Sequence, residues 1–351
     1  MKIALLNLPV DNNYGGNLQR YALMKVLHDM GHSVTHLNMR FRYRLPWYKK
    51  PKYYGKRFLL KVLFKRDIKV FFSPQDQYEQ KCSITDAFYH KYINHTEIIY
   101  NSKKLVQYTD FDAFIVGSDQ VWRKRIAAKN MPYYFLSHLQ SIDKPKIACA
   151  VSFGVDTSEL NDDEKTYYGN LYKKFDAVSV RETSGLKILN QLGWTHPKAI
   201  HLLDPTFMLS KSDYQTIINS NETEPSAGNL FCYILDMTEE KENVIKGIVS
   251  SKGLTPFYVS LDDNISIPQW LRSFDEAEYI ITDSFHGLVF SIIFNKPFKL
   301  IKNSFRGNAR FDSVMETFNI FDNQEFDWEY INNTIQDYKI LFIDFLKKTL
   351  N

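Results

Sequence analysis

The 351-residue chain holds only three cysteines, Cys82, Cys149 and Cys232, an odd number at wide spacing. This excludes a disulfide framework and a cysteine-based zinc site, and it fits free thiols in a reducing compartment. No apolar run approaches the roughly 18 residues that a membrane-spanning helix needs. The opening run Met1-Lys-Ile-Ala-Leu-Leu-Asn-Leu-Pro9 is too short for a signal peptide and reads as a first strand, so the cytoplasm is the expected location. Internal repeats and low-complexity tracts are absent, and no cluster of His, Cys, Asp or Glu has metal-ligand spacing. The first glycine-bearing loop lacks the G-x-G-x-x-G spacing of a dinucleotide site. Acidic residues are missing from one whole stretch. Residues 40–66 carry eleven Lys/Arg and no Asp or Glu, leaving 33 bases against 40 acids elsewhere, a net −7 under a whole-chain charge of +4. Basicity this local implies a local anionic partner.

What is present is an alternating α/β pattern long enough for two domains. Lys2 to Leu6 reads as a strand, Asp11-Asn-Asn-Tyr-Gly-Gly-Asn17 as a polar loop, Leu18 to Met30 as a helix and His32 to Asn38 as a second strand. Three later strands deliver polar residues to one edge: Phe111–Trp122 brings Ser118, Asp119 and Gln120, Lys146–Gly154 brings Ser152, and Phe175–Gly185 brings Arg181. The boundary is expected at 195/196, with a second domain over 196–330 that repeats the alternation. A terminal helix over 331–351 is expected to pack back on the first domain.

Between the first two strands and the middle strands lies the basic segment, with Trp47, Tyr48, Tyr53, Tyr54, Phe58 and Phe64 among its cations. Lys56 to Phe64 reads as a short amphipathic helix. Cations with interfacial aromatics suit an anionic membrane surface, and a solvated connecting loop is the plain alternative. No nucleic-acid-binding module is recognisable, so nucleic acid is not expected as a partner.

The stretch from Tyr279 to Pro297 carries the sharpest chemical signal. Tyr279–Thr282 reads as a buried strand, Asp283-Ser284 as a turn, and an apolar helix follows His286-Gly287. His286 is thereby placed at a strand's carboxyl end and a helix's amino end, where open α/β sheets bind anions.

Six motifs in order resemble the polysaccharide pyruvyl transferase family: Asn13-Tyr-Gly-Gly-Asn-Leu-Gln19, Gly117-Ser-Asp-Gln-Val-Trp122, Ser152-Phe-Gly154, Val180-Arg-Glu-Thr-Ser184, Asp204-Pro-Thr206 and Thr282-Asp-Ser-Phe-His-Gly287. The resemblance implies two Rossmann-like domains facing across a cleft, the glycosyltransferase-B arrangement. It implies transfer of pyruvate from phosphoenolpyruvate to two sugar hydroxyls, with phosphoenolpyruvate as co-substrate and neither cofactor nor metal. His286 would be the acid–base residue, a group near neutrality serving both proton transfers. Arg181, Ser284, Phe285, Gly287, Arg306 and Arg310 would bind the donor. Asn13, Tyr14, Asn17, Ser118, Asp119, Gln120 and Ser152 would face the acceptor. Many members carry Arg-Leu-His where this chain has Ser284-Phe285-His286, so Arg306 or Arg310 would supply the missing guanidinium. The basic segment points to a lipid-diphosphate-linked sugar at the inner membrane face. A nucleotide-sugar glycosyltransferase and a non-catalytic glycan-binding partner remain open as rivals.

Overall fold

A computed structural model describes residues 1–260, 263, 265–302, 308–321 and 325–350. Its strands form two separate parallel sheets. The first contains β1 (Lys2–Leu6), β2 (Ser33–His36), β3 (Ala113–Val116), β4 (Lys146–Val151), β5 (Ala177–Val180) and β6 (Ile200–His201), ordered β2-β1-β3-β4-β5-β6. The second contains β7 (Leu230–Tyr233), β8 (Pro256–Tyr258), β9 (Tyr279–Thr282) and β10 (Phe298–Leu300), ordered β10-β9-β7-β8. Parallel sheets are covered on both faces, which is why β3, β4 and β7 are buried along their whole length. The protein is therefore α/β with two Rossmann-like domains, as the sequence leads one to expect.

Two sequence expectations are corrected. Ile200 and His201 pair with Ser179 and Val180, so the first domain runs past 195 and through β6. The first helix spans Tyr14–Asp29, so Tyr14, Gly15, Gly16 and Asn17 form its opening turns and are not a loop. Paired glycines weaken a helix by about 1 kcal/mol each. Here the Asn13 side chain caps the Gly16 N–H at 3.1 Å, and tertiary packing overrides propensity.

That first helix joins the domains. Its residues Tyr14, Leu18, Ala22 and Leu23 share one apolar cluster with Phe207, Tyr214, Trp270 and Phe290 of the second domain. The Tyr14 ring stacks on Trp270 with centroids 5.5 Å apart, while Tyr233, Phe274 and Phe290 meet Trp270 edge-on. The terminal helix Trp328–Leu350 buries Ile331, Ile335, Phe342, Phe345, Leu346 and Leu350. Its Tyr338 hydroxyl lies 3.1 Å from His201 Nδ1 on the first sheet's edge strand.

The basic segment forms a short 3₁₀ turn, Trp47–Lys49, and a helix, Lys50–Val62, that buries none of its residues. This helix starts six residues before the expected Lys56 because Pro51 fits an opening turn that needs no N–H. Helix Pro74–Tyr92 was not foreseen. It is opened by a Ser73/Asp76 capping box, but only Cys82, Thr85, Phe88 and Tyr89 are buried, too thin a stripe to stand out in the sequence. Among the described residues no helix is long and apolar enough to cross a membrane.

Replacing Trp270 by alanine should cost about 3–5 kcal/mol, the usual range for removing a buried aromatic. Because Trp270 touches both domains, urea unfolding followed by fluorescence and circular dichroism should remain one transition, shifted to lower urea. Two separated transitions in the wild type would show that the shared cluster does not couple the domains.

Candidate active site

A cleft of about 550 Å³ lies between the carboxyl ends of the two sheets. Strand order reverses at β1 in the first sheet and at β7 in the second. Loops leaving β1 and β3 therefore diverge, as do those leaving β7 and β9, and each divergence opens a crevice. Asn7, Asp11 and Asn13 enter the cleft after β1, with Asp119 and Gln120 after β3. Opposite them stand Tyr233 and Asp236 after β7, then Ser284, Phe285 and His286 after β9.

His286 is fixed by close packing. Ser284 caps the helix Phe285–Ile293, its hydroxyl accepting from Gly287 N at 3.4 Å. Thr282 Oγ1 accepts from Ser284 N at 3.1 Å and donates to the Tyr233 carbonyl at 2.8 Å. A Cβ on Gly287 would stand 2.0 Å from Thr282 Oγ1, and one on Gly15 would stand 2.0 Å from His286 Cγ. Both glycines are present because another atom occupies the space of their side chain. The first helix's opening turn thus presses backbone against the imidazole. His286 Nε2 is buried, takes no hydrogen bond, and lies 3.9 Å from Asp204 Oδ2.

These surroundings overturn the expectation of an imidazole near neutrality. Burial lowers the His286 pKa to about 4; Arg181 and Arg310 push the same way, and Asp204 and Asp119 oppose them. At pH 7 His286 is neutral.

Asp204, at the crossing between domains, gathers the groups beneath the cleft. Its Oδ2 accepts from Gln19 Nε2 at 2.6 Å and from Arg181 at 2.8 Å. Its Oδ1 accepts from Thr206 N at 3.1 Å and Thr206 Oγ1 at 2.8 Å. Burial alone would raise this carboxyl, but Arg181, His286 and Thr206 outweigh it and hold it below the usual range. Arg181 also donates to Asp119 Oδ1 at 3.0 Å. Asp119 has φ +79°, an uncommon conformation for a non-glycine residue. Its carboxyl is raised by burial but drawn below the usual range by Arg181, His286 and Arg310 together.

One cleft carboxyl behaves in the opposite way. Asp11 is raised to about 6 by burial and by Asp119, against the lowering effects of the Asn13 N–H and Arg20. Part of its surface remains open to the cleft.

His286, expected as the acid–base residue, lines the cleft, as do Ser284, Phe285 and Arg310 of the residues expected to bind the donor. Arg181 lies behind its wall with a side chain closed to solvent, one guanidinium face 4.8 Å from the Phe285 ring centroid. Arg310 lies 5.1 Å from that centroid, so two cations flank one phenyl ring. Gly287 is packed on Thr282, and Arg306 lies outside the described residues. Of the residues expected to face the acceptor, Asn13, Asp119 and Gln120 line the cleft. Tyr14 is buried on Trp270, and Asn17 bonds the Asp11 and Asn13 carbonyls. Ser118 donates to the Ala150 carbonyl and accepts from Gln19; Ser152 donates to Glu182 at 2.9 Å. These four support the site from behind.

Sequence reading missed Asp11, Arg20, Arg123, Arg125 and Asp236 as lining residues, and Asp204 as the hub. Asp11 opens the polar stretch already noted, and Arg20 stands one turn into its helix. Neither has a neighbour in sequence to distinguish it from a capping or surface charge. Among the described residues no group of three or more His, Cys, Asp or Glu could hold a metal ion.

The model of the family described as "Polysaccharide pyruvyl transferase" matches residues 13–304. No curated protein matches. Solved structures with a similar course of chain include Staphylococcus aureus MnaA with UDP, at 9% identity and TM-score 0.47, covering 99% of this chain and 91% of that one. Another is Anabaena HepE with UDP, at 11% identity and TM-score 0.46, covering 100% and 99%. A third is the Neisseria meningitidis UDP-GlcNAc 2-epimerase bound to UDP-GlcNAc, at 9% and 0.46, covering 99% and 100%.

Gly15→Ala should push the imidazole from its seat, since a Cβ 2.0 Å from Cγ cannot be accommodated. Overpacking of this kind costs about 1–3 kcal/mol. The His286 pKa, followed by ring NMR, should rise from about 4 towards an ordinary value as the ring meets water. Gly16→Ala places its Cβ in ordinary contact with Asn13 at 3.5 Å and should leave the titration near wild type. Equal titrations for the two variants would contradict the packing account.

Proposed function

The chain belongs to the polysaccharide pyruvyl transferase family, and we propose that it moves pyruvate from phosphoenolpyruvate onto two hydroxyls of one sugar. The products are a cyclic ketal and phosphate. The observation that carries this reading is the charge of the cleft. Arg20, Arg123, Arg125 and Arg310 line it against Asp11, Asp119 and Asp236. Asp119 is already paired with Arg181, which leaves the cleft's arginines in excess over its remaining carboxylates. Two helix amino termini, capped by Asn13 and Ser284, open on the same space. Cations and paired helix ends suit a compact trianion such as phosphoenolpyruvate.

His286 delivers the proton that converts the enol carbon to a methyl group. A bound trianion favours the imidazolium, so His286 takes up a proton as the donor arrives. Asp204, 3.9 Å away and ionised, stabilises that charge. The donor grip that Ser284 cannot supply falls to Arg310, which reaches the cleft from the helix Ala309–Thr317 and lies over Phe285. A sugar occupies the remainder of the cleft, on the side of Asn13, Asp119 and Gln120.

The acceptor is a lipid-diphosphate-linked precursor of a surface polysaccharide, met at the inner face of the membrane. Supporting this is the apolar and cationic surface around helix Lys50–Val62. Trp47 is 82% exposed and Phe71 86%, with Phe58, Leu59, Val62, Leu63 and Phe64 also exposed. Large apolar side chains among eleven cations form an interfacial surface for anionic lipid.

Phosphoenolpyruvate should raise the melting temperature, and phosphate should be released with at least one member of a panel of lipid-linked or synthetic galactosides, glucosides and mannosaminides. His286→Ala should lower turnover by about 10²–10⁴. It should also remove the proton uptake seen calorimetrically in buffers of different ionisation enthalpy. Stabilisation by nucleotide sugars with none by phosphoenolpyruvate would replace this reading with glycosyl transfer.

Vesicle flotation tests the membrane contact. Binding should be strong to anionic and weak to neutral vesicles, and a Trp47→Ala/Phe58→Ala/Phe64→Ala triple variant should lose it. Equal binding to both vesicle types would remove the electrostatic basis.

A further inference from the structure

Asp11 has no assigned role, yet it is a cleft carboxyl that accepts from no arginine and keeps one oxygen available for chemistry. Its backbone is fixed: the carbonyl accepts from Asn17 Nδ2 at 3.1 Å and from Thr85 Oγ1 at 2.9 Å. Its Oδ1 accepts from Asn13 N at 3.0 Å. Among the described residues the second carboxylate oxygen takes no hydrogen bond, and Asp11 accepts nothing from an arginine, in contrast to Asp204 Oδ2 and Asp119 Oδ1, which both accept from Arg181. Around Asp11 stand Arg20 on the following helix, Asp119 from the loop after β3, and the Cys82 thiol on helix Pro74–Tyr92. His286 faces the cleft from the opposite domain.

We propose that Asp11 is the general base for the first sugar hydroxyl and the acid that then protonates the departing phosphate. The proposal rests on the pyruvyl-transfer reading above. The hydroxyl oxygen bonds to C2 of phosphoenolpyruvate as its proton passes to Asp11. The C2–C3 π pair takes the proton held by His286, forming the methyl group. The bond from C2 to the phosphate oxygen then breaks with its electron pair on phosphate, which takes the Asp11 proton and leaves as hydrogen phosphate. The second hydroxyl oxygen bonds to C2 and gives its proton to His286. Both side chains regain their starting states, and no oxidant, reductant or further reactant is needed.

The assignment divides the proton work between domains. A carboxyl raised to about 6 can accept a proton at neutral pH and release it again to phosphate, whereas the carboxyls pinned by Arg181 remain ionised. His286, lowered to about 4, holds a proton only with the anion present. Two titrating groups with divergent environments are a common basis for separate acid and base roles.

The test compares wild type, Asp11→Asn and Asp11→Glu for phosphate release, its pH profile and phosphoenolpyruvate-induced stabilisation. Asp11→Asn should lose about 10²–10⁴ in kcat, keep the stabilisation by phosphoenolpyruvate, and lose the acidic limb of the kcat/KM profile near pH 6. Asp11→Glu should retain a displaced limb and part of the rate. A wild-type-like limb in Asp11→Asn, with the donor still bound, would overturn the role of Asp11 while leaving pyruvyl transfer intact. A wild type that neither binds phosphoenolpyruvate nor releases phosphate would overturn both.

Discussion

The ionised Asp204 carboxylate is the constraint on which the cleft depends. It belongs to the short crossing between domains, yet its partners come from three directions: Gln19 on the first helix, Arg181 at the end of β5, and Thr206 beside it. Removing one member of a buried charged pair costs about 3–5 kcal/mol, because the other charge is left without compensation. The relative placement of the two domains is therefore fixed by a polar contact as well as by the Tyr14–Trp270 stack. His286 faces the same carboxylate across 3.9 Å, so the geometry joining the domains also sets the electrostatics of the imidazole.

A second network explains why family motifs separated in sequence occur together. Glu182 Oε1 accepts from Ser152 Oγ, Phe153 N and Gly154 N at 2.8–3.0 Å. The Ser-Phe-Gly and Arg-Glu motifs thus hold one another, and neither side chain reaches the cleft. Ser118, bonded to Gln19 and the Ala150 carbonyl, ties the third strand loop to the first helix. Much of what resembles an active-site signature is the support beneath the site. Polar residues at strand ends are expected on this view, since a buried crevice floor must satisfy its hydrogen-bonding groups internally.

The fold was legible because parallel strands buried on both faces read as short apolar runs, and Leu230–Tyr233 and Tyr279–Thr282 are two of them. The placement of His286 was legible because strand, polar turn and apolar helix follow one another without interruption. The inward or outward direction of polar side chains was not legible. Ser118 and Asp119 are adjacent, yet one bonds the core and the other lines the cleft. Arg181 has the sequence context of an anion-binding arginine, but two carboxylates from distant parts of the chain, Asp119 and Asp204, draw it behind the wall. Protonation states were out of reach for the same reason. Asp11 and His286 have ordinary pKa values in an unfolded chain, and only burial beside particular charges moves them to about 6 and about 4.

Those two shifts have opposite consequences for the folded state. A histidine lowered to about 4 binds fewer protons than its unfolded counterpart near 6.5, so its contribution to stability falls as pH drops from about 6.5 towards 4. Buried His36 and the partly buried His138 and His201 act in the same sense. Asp11, raised above its unfolded value, contributes stability on the acid side that is lost as pH rises through about 6. At neutral pH the folded protein therefore carries an unfavourably placed Asp11 carboxylate, a cost that a proton or a hydroxyl donor in the cleft relieves. A hydroxyl group of a bound sugar is such a donor, and the same desolvation that destabilises the free carboxylate increases its tendency to take that proton.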